Sequence, residues 1–189
     1  MTRRLAAFIT VGVLGVAAVA STARAQSLQL LWPDRFETRL RALEGSWKGT
    51  GAVEGMGAVT ATLVVSHDEG AAYYRCEQVV RSDKETVTDF GFFYLRMNPR
   101  TYQPDLRVLW MNGKGYILQG RGEIVENALV FTLDTSENLP PGVRGRTRLE
   151  TPDKDRLLLT LEFGVPVSKL QEVVNLAYDR VPSLVKVGN

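Results

Sequence analysis

The chain contains one histidine and one cysteine, His67 and Cys76, and these are the residues best suited to nucleophilic chemistry. A cysteine thiolate beside an imidazole base is a common nucleophilic pair. If a hairpin turns at Glu69-Gly70, Cys76 faces Leu63 or Val64. At about 3.3 Å per residue, the thiol then lies roughly 10–13 Å along the strand from His67, beyond hydrogen-bonding distance. We therefore predict a buried structural cysteine and a solvated histidine at a turn.

The same two residues limit the metal sites that the chain can build. One histidine and one cysteine cannot complete a four-ligand zinc site without help from carboxylates. The sequence shows no serine elbow and no spaced pair of acids of the kind that hydrolases use. A single cysteine also excludes an intramolecular disulfide bond. We predict no metal site, no cofactor and no catalytic residue.

Charged residues alternate with uncharged ones in two segments, which would place each charged group on a single strand face. One group is Arg144, Arg146 and Arg148, and the other is Arg75 and Glu77, which share their face with the neutral Tyr73. One interpretation is a solvated outer face on which long side chains cover apolar surface. The other is an inward face on which an arginine binds a carboxylate head group bidentately. A buried Arg75 would need Glu77 or a bound anion as its partner.

Aromatic residues follow the same alternation. One face carries Phe90, Phe92 and Tyr94, the opposite face carries Gly91, Phe93 and Leu95, and a later segment aligns Leu106, Val108 and Trp110. Since both faces of the first segment are apolar, we expect one face to line an interior and the other to meet a helix. Aromatic lining fits either a filled core or an apolar ligand.

These residues belong to nine segments with two-residue alternation, which turn residues separate. The segments are 46–54, 58–66, 72–81, 86–97, 106–111, 116–125, 128–134, 144–150 and 156–163. Short connections favour antiparallel pairing of neighbouring strands. Because a closed sheet removes its exposed edges, we predict an all-β, closed antiparallel meander barrel of about 8–10 strands.

Two helices are expected to flank this barrel. Asp34 and Glu37 predict a capping box for a short N-terminal helix that ends at Gly45. Ser168 and Gln171 predict a second capping box. The apolar residues that follow have helical spacing: Leu170, Val173, Val174, Ala177 and Tyr178. They predict a C-terminal amphipathic helix that ends before Pro182 and packs on the barrel.

The first residues have the pattern of a secretory signal peptide. Arg3 and Arg4 precede an uncharged apolar run at 5–20, and Ala23-Arg24-Ala25 is a small-x-small cleavage pattern. We expect a signal peptide at 1–25, a single domain at 26–189, a periplasmic or secreted location and no membrane span after cleavage. Cleavage removes three arginines and no acid, so the formal charge of +2 becomes −1. A near-neutral protein gives no basis for nucleic-acid binding.

The stretch Leu43-Glu44-Gly45-Ser46-Trp47-Lys48-Gly49-Thr50-Gly51 resembles a known signature. Gly-x-Trp after a short helix is similar to the motif of lipocalins and fatty-acid-binding proteins, and the longer form resembles bacterial lipocalin-like and nitrobindin-type barrels. The resemblance implies a calycin barrel with Trp47 at one end, covered by a basic residue from a late strand. Arg146 or Arg148 could match that residue. The late histidine that holds haem in nitrobindin-type barrels is missing, so we predict no haem binding.

We expect a non-enzymatic binding barrel for a small apolar or amphipathic ligand, with an anionic head as one option. The expected ligand-binding residues are Trp47, Tyr73, Arg75, Phe93, Trp110, Arg146 and Arg148. One alternative is an enzyme, such as a cyclase, an isomerase or an esterase-like protein, whose titratable groups converge in the barrel: Tyr73, Arg75, Glu77 and Asp89. Another is an envelope interaction module, which predicts a filled barrel and an exposed apolar patch near the C-terminal helix.

Overall fold

Ten strands follow one short helix in the computed structural model, which describes residues 33–68, 71–137, 140–165 and 169–182. The elements are α1 (Asp34–Leu43), β1 (Gly45–Val53), β2 (Gly57–Ser66), β3 (Tyr73–Arg81), β4 (Thr86–Met97), β5 (Pro104–Asn112), β6 (Ile117–Val125), β7 (Ala128–Glu137), β8 (Arg144–Asp153), β9 (Arg156–Gly164) and β10 (Gln171–Val181). The expected signal peptide at 1–25 lies outside the described residues. Within them, no helix has the length and apolar character needed to cross a membrane.

The strands form a closed antiparallel barrel. Each strand pairs with the next in sequence, and β1 closes the sheet by pairing with both β2 and β10. Closure gives every strand a partner on both sides, which satisfies its backbone groups along the paired stretches. The all-β closed meander and the short N-terminal helix are confirmed, and the nine alternating segments correspond to β1 through β9.

The predicted C-terminal helix is wrong, because these residues form β10. Leu176 and Tyr178 alternate inward with two-residue spacing, and the strand hydrogen-bonds to both β1 and β9. A bulge between Glu172 and Val174 interrupts the alternation, and both Val173 and Val174 line the barrel interior. Two adjacent inward residues, followed by Tyr178, imitate the apolar spacing of a helix. Ser168, from the predicted capping box, lies outside the described residues.

The helix α1 lies where the sequence placed it, but its first turn is built differently. Pro33 occupies the N-cap position and no side chain caps the helix, so the Asp34–Glu37 capping box is wrong. The backbone N–H groups of Phe36 and Glu37 bond to the carbonyl oxygen of Pro33 instead. Glu37 accepts a 2.6 Å bond from Arg41, one turn later.

One end of the barrel is closed by α1. Phe36, Leu40 and Leu43 are buried in the same apolar core as Trp47 of β1. The indole Nε1 of Trp47 donates a 2.8 Å bond to the carbonyl oxygen of Leu43, which ties the helix end to the barrel. Gly45 joins the two elements with a φ of +123°, a backbone conformation that residues other than glycine rarely adopt.

Candidate functional site

A cavity of about 430 Å³ occupies the barrel toward the end opposite α1. Its mouth is formed by Glu54 and Met56 of the β1–β2 turn, by Asn112 at the end of β5, and by Lys114 and Tyr116 of the β5–β6 connection. The interior is lined by inward residues of most strands, and their side chains are predominantly apolar. The barrel is therefore hollow over part of its length.

Aromatic side chains form much of the apolar lining. Phe93 of β4 stacks on Phe131 of β7, with ring centroids 5.2 Å apart. Trp110 of β5 lies against Gly91 of β4, and a Cβ atom at Gly91 would collide with the indole ring. Of the seven expected ligand-binding residues, the cavity brings together Phe93 and Trp110. Their part in binding stays a prediction.

A row of polar side chains crosses the cavity lining at right angles to the strands. Gln78 of β3 is the cross-strand partner of Asp89 of β4, which is in turn the partner of Asn112 of β5. Gln78 and Asp89 are buried, with 4% and 8% of their surface exposed. From the sequence, Asp89 was named among the candidate groups of an enzyme, but Gln78 and Asn112 were missed. A signal was available, since Gln78 interrupts the inward series of Tyr74, Cys76 and Val80.

Asp89 is held by three donors on one side. Its Oδ1 atom accepts a 2.7 Å bond from Asn112 Nδ2 and a 3.3 Å bond from the backbone N–H of Gly113, and Trp110 Nε1 lies 3.4 Å from Oδ2. Burial raises the pKa of Asp89 above its ordinary value, although these three hydrogen bonds and the charge of Lys114 act in the opposite direction. The site therefore contains a desolvated carboxyl group.

Tyr178 reaches the polar row from β10. Its phenol oxygen accepts a hydrogen bond from Gln78 Nε2 across β1 and β2. In register, Tyr178 pairs with Gly49 and Gly49 pairs with Ala61, whose partner on β3 is Val80, two residues from Gln78. A Cβ atom at Gly49 would collide with the Tyr178 ring, so the glycine leaves space for it. Burial is the main cause that raises the pKa of Tyr178. The phenol is therefore neutral at physiological pH.

The expected anion-binding arginines lie on the outside of the barrel. Arg146 pairs with Glu162 of β9 at 2.7 Å, and Arg148 pairs with Glu150 of its own strand at 3.0 Å. The interpretation that they face a ligand's carboxylate inside the barrel is wrong. The alternation of β8 places Gly145, Thr147 and Leu149 inward, and the arginines keep their charged ends in water at the outer face.

Tyr73, Arg75 and Glu77 also point outward, between the buried Tyr74, Cys76 and Gln78. Tyr73 is 41% exposed and makes an edge contact with Phe92. Phe90 is 43% exposed, so the outer face of β4 meets solvent rather than the helix that we expected.

Trp47 lies at the closed end, not at the cavity, and is 1% exposed. The basic residue that covers it is Arg180 of β10, so neither Arg146 nor Arg148 has this position. The Arg180 guanidinium lies 4.0 Å from the indole centroid. A basic residue from a late strand does cover Trp47, as the resemblance implied, but the residues suggested for it were wrong. Arg180 was not considered because its segment was predicted to be a helix.

His67 and Cys76 lie near the closed end as well. The His67 ring stacks on Tyr74 at 4.3 Å, and Nε2 lies 2.9 Å from the carbonyl oxygen of Ala71, so the histidine is packed rather than solvated. Cys76 pairs with Val65, closer to His67 than we estimated, and burial raises its thiol pKa. These surroundings are typical of residues with a structural role, for both His67 and Cys76.

The lining of the cavity does not suit haem or a metal ion. Across the described residues, neither His67 nor Cys76 belongs to the cavity lining, and no group of three or more His, Cys, Asp or Glu side chains could hold a metal. A haem held by histidine, as in nitrobindin-type barrels, does not fit the residues present.

No family model matches the chain, and no curated protein matches its sequence. Among solved structures, the chain is similar to the crystal structure of Rv2717c from M. tuberculosis, with a TM-score of 0.52 and 15% sequence identity. The alignment covers 80% of this chain and 99% of that one. The likeness is one of fold. It agrees with the closed barrel and carries no information about a ligand.

Proposed function

We propose that this protein is a binding barrel that holds a small apolar or amphipathic molecule in its cavity and does no chemistry on it. The observation that carries the proposal is the cavity of about 430 Å³. Ligand pockets typically measure about 300–1,000 Å³ and combine apolar walls with a few fixed polar groups. This cavity has that composition, with Phe93, Trp110 and Phe131 beside one polar row.

The number of strands supports a hollow interior. A barrel of about eight strands is just wide enough for side chains to fill it, and the diameter grows with strand number. Ten strands enclose more space than the inward side chains occupy, even with rings as large as those of Trp110 and Tyr178. An interaction module with a filled barrel is therefore a less suitable interpretation.

The closed end supports a calycin-type barrel. A Gly-x-Trp motif at the start of β1, an indole bonded to the preceding helix and a late arginine over that indole agree with the resemblance noted in the sequence. In this assignment Trp47 and Arg180 seal one end of the barrel. The other end is then the one through which a ligand enters.

The arrangement favours binding over catalysis. Of the four titratable groups that an enzyme would use, Tyr73, Arg75 and Glu77 point away from the cavity. Asp89 alone faces it, and three donors engage its oxygens. The neighbours of Asp89 in the polar row are the amides of Gln78 and Asn112, and this arrangement fits a binding contact better than a reaction centre.

The proposed location follows from residues 1–25, which act as a secretory signal peptide in this account. The mature protein is then periplasmic or secreted, where it meets lipids and other apolar molecules outside the cytoplasm. Determining the N-terminal sequence of protein recovered from the producing cells tests this. A chain beginning at Gln26 supports export, and a chain that retains residues 1–25 in the cytoplasm contradicts it.

Native mass spectrometry of protein purified from its own host tests the binding function. The expected result is a population with a single additional mass, which organic extraction releases as an apolar molecule. A clean unliganded mass, together with no thermal stabilisation by any apolar probe, would contradict the proposal. A ligand that binds only the folded state stabilises it by an amount that grows with the logarithm of its concentration divided by its Kd.

A further inference from the structure

We propose that the ligand's polar end is a hydrogen-bond donor, a hydroxyl or an ammonium group, which binds to Asp89 and Gln78. The cavity would therefore select apolar amines and alcohols and reject carboxylic acids. This inference rests on the proposed binding function and replaces the anionic head group that we expected from Arg146 and Arg148.

The free hydrogen-bonding capacity of the polar row consists of acceptors. Asp89 Oδ1 accepts bonds from Asn112 and Gly113, whereas Oδ2 makes a single contact with the residues that the structure describes, at 3.4 Å from Trp110 Nε1. A carboxylate oxygen can accept more than one hydrogen bond. Gln78 uses its Nε2 atom as a donor to Tyr178, which leaves its carbonyl oxygen as an acceptor. Because the two residues are cross-strand neighbours, a single donor group can reach both.

The charges around the cavity point to the same class of ligand. The acids in its lining are Glu54 and Asp89. The base in its lining, Lys114, is bound to Glu85 at 2.7 Å. A ligand carboxylate placed beside Asp89 would bring two like charges together in a poorly solvated space, which is unfavourable. An ammonium group would instead neutralise Asp89.

The burial of Asp89 favours a ligand that carries a positive charge. Its burial raises its pKa, so the ionised form is not fully compensated in the empty cavity. A bound cation would supply the missing charge. A hydroxyl group would satisfy the same acceptor without a charge.

Three probes with the same decyl chain separate these chemistries: decylamine, 1-decanol and decanoate. Each would compete at neutral pH with the apolar fluorescent dye N-phenyl-1-naphthylamine, bound to the mature chain. We expect decylamine and 1-decanol to bind at least about tenfold more tightly than decanoate, a difference of about 1.4 kcal/mol. Equal affinities for the three probes, or tighter binding of decanoate, would overturn the inference while leaving the binding function intact.

Variants identify the residues responsible. We expect Asp89→Asn to reduce the ratio of decylamine to decanoate affinity by about tenfold, since the amide is uncharged and can donate to a carboxylate. Asp179→Asn, at an exposed position of β10, is the matched control and leaves the ratio unchanged. Gln78→Met gives an independent test, because it keeps Asp89 and should weaken 1-decanol binding at least about threefold.

The outcomes distinguish the two proposals. An Asp89→Asn protein that keeps the wild-type ratio overturns the inference. Dye that binds in the cavity but is displaced by none of the three probes also overturns it. Failure of the dye and of every probe to bind contradicts the binding function itself.

Discussion

The Arg180 guanidinium lies 4.0 Å from the centroid of the Trp47 ring and joins the last strand to the first. The same group donates hydrogen bonds to the carbonyl oxygens of Ala42, Glu44 and Lys154. One side chain thus connects β10, the end of α1 and the β8–β9 turn region around a buried indole. The closed end of the barrel depends on this arrangement, which leaves the opposite end free to admit a ligand.

Replacing this arginine should destabilise the barrel. We predict that Arg180→Met lowers the free energy of unfolding by about 2–4 kcal/mol, because it removes charge-assisted hydrogen bonds and a cation–π contact. Arg180→Lys should recover only a small part of the loss, since an ammonium group cannot reach three carbonyl oxygens as a planar guanidinium does. Urea unfolding followed by tryptophan fluorescence measures both values.

The exposed Arg156 provides the control for this prediction. Arg156→Met should change the free energy of unfolding by less than about 0.5 kcal/mol, as is usual for surface substitutions. If Arg180→Met were as mild as Arg156→Met, the closed end would not depend on the contact with Trp47.

The buried carboxyl group of Asp89 should give stability a characteristic pH dependence. Its pKa is higher in the folded protein than its ordinary value of 3.8. Between these two values the folded protein holds the proton and the unfolded chain has lost it. The contribution of Asp89 to stability is therefore greatest below pH 3.8, falls as the pH rises to the folded pKa and is constant above it.

Comparing the wild type with Asp89→Asn isolates this contribution. Urea unfolding at several pH values gives the free energy of unfolding of each protein. As the pH rises through this window, the wild type should lose stability relative to Asp89→Asn. A wild type that instead gained stability relative to Asp89→Asn with rising pH would reverse the sign and contradict the account.

Adding a methyl group at Gly91, where the chain packs against Trp110, should lower the free energy of unfolding. A Cβ atom at Gly91 would collide with the indole ring, so we predict that Gly91→Ala costs about 1–3 kcal/mol, as overpacked cores usually do. The same substitution in a Trp110→Phe background should cost less, because the smaller ring leaves space. A double-mutant cycle in urea measures the coupling. Equal costs in the two backgrounds would show that the collision is relieved elsewhere.

Most of the barrel could be predicted from the sequence, because half-buried strands carry a two-residue alternation that local turns separate cleanly. β10 was the exception. Its bulge places Val173 and Val174 on the same side, and only pairing with β1 and β9 determines that the segment is a strand.

The candidate site was less predictable than the fold. Alternation shows which residues share a strand face. It does not show which face is inward where neither face is clearly apolar, as in β8, where Arg146 alternates with Gly145. The polar row depends on the register of three strands, which brings together Gln78, Asp89 and Asn112 from distant parts of the chain. That register cannot be read from the spacing of residues in the sequence.

The cavity is the proposed binding site, so a side chain that fills it should weaken binding. Thr147 lines the cavity, whereas Thr62 lies on an outer strand face. Titration with N-phenyl-1-naphthylamine should show saturable fluorescence enhancement with one site per chain in the wild type and in Thr62→Trp. Thr147→Trp should weaken that binding by at least about tenfold, because the indole occupies the space that the dye needs. Undiminished binding in a folded Thr147→Trp protein would contradict the claim.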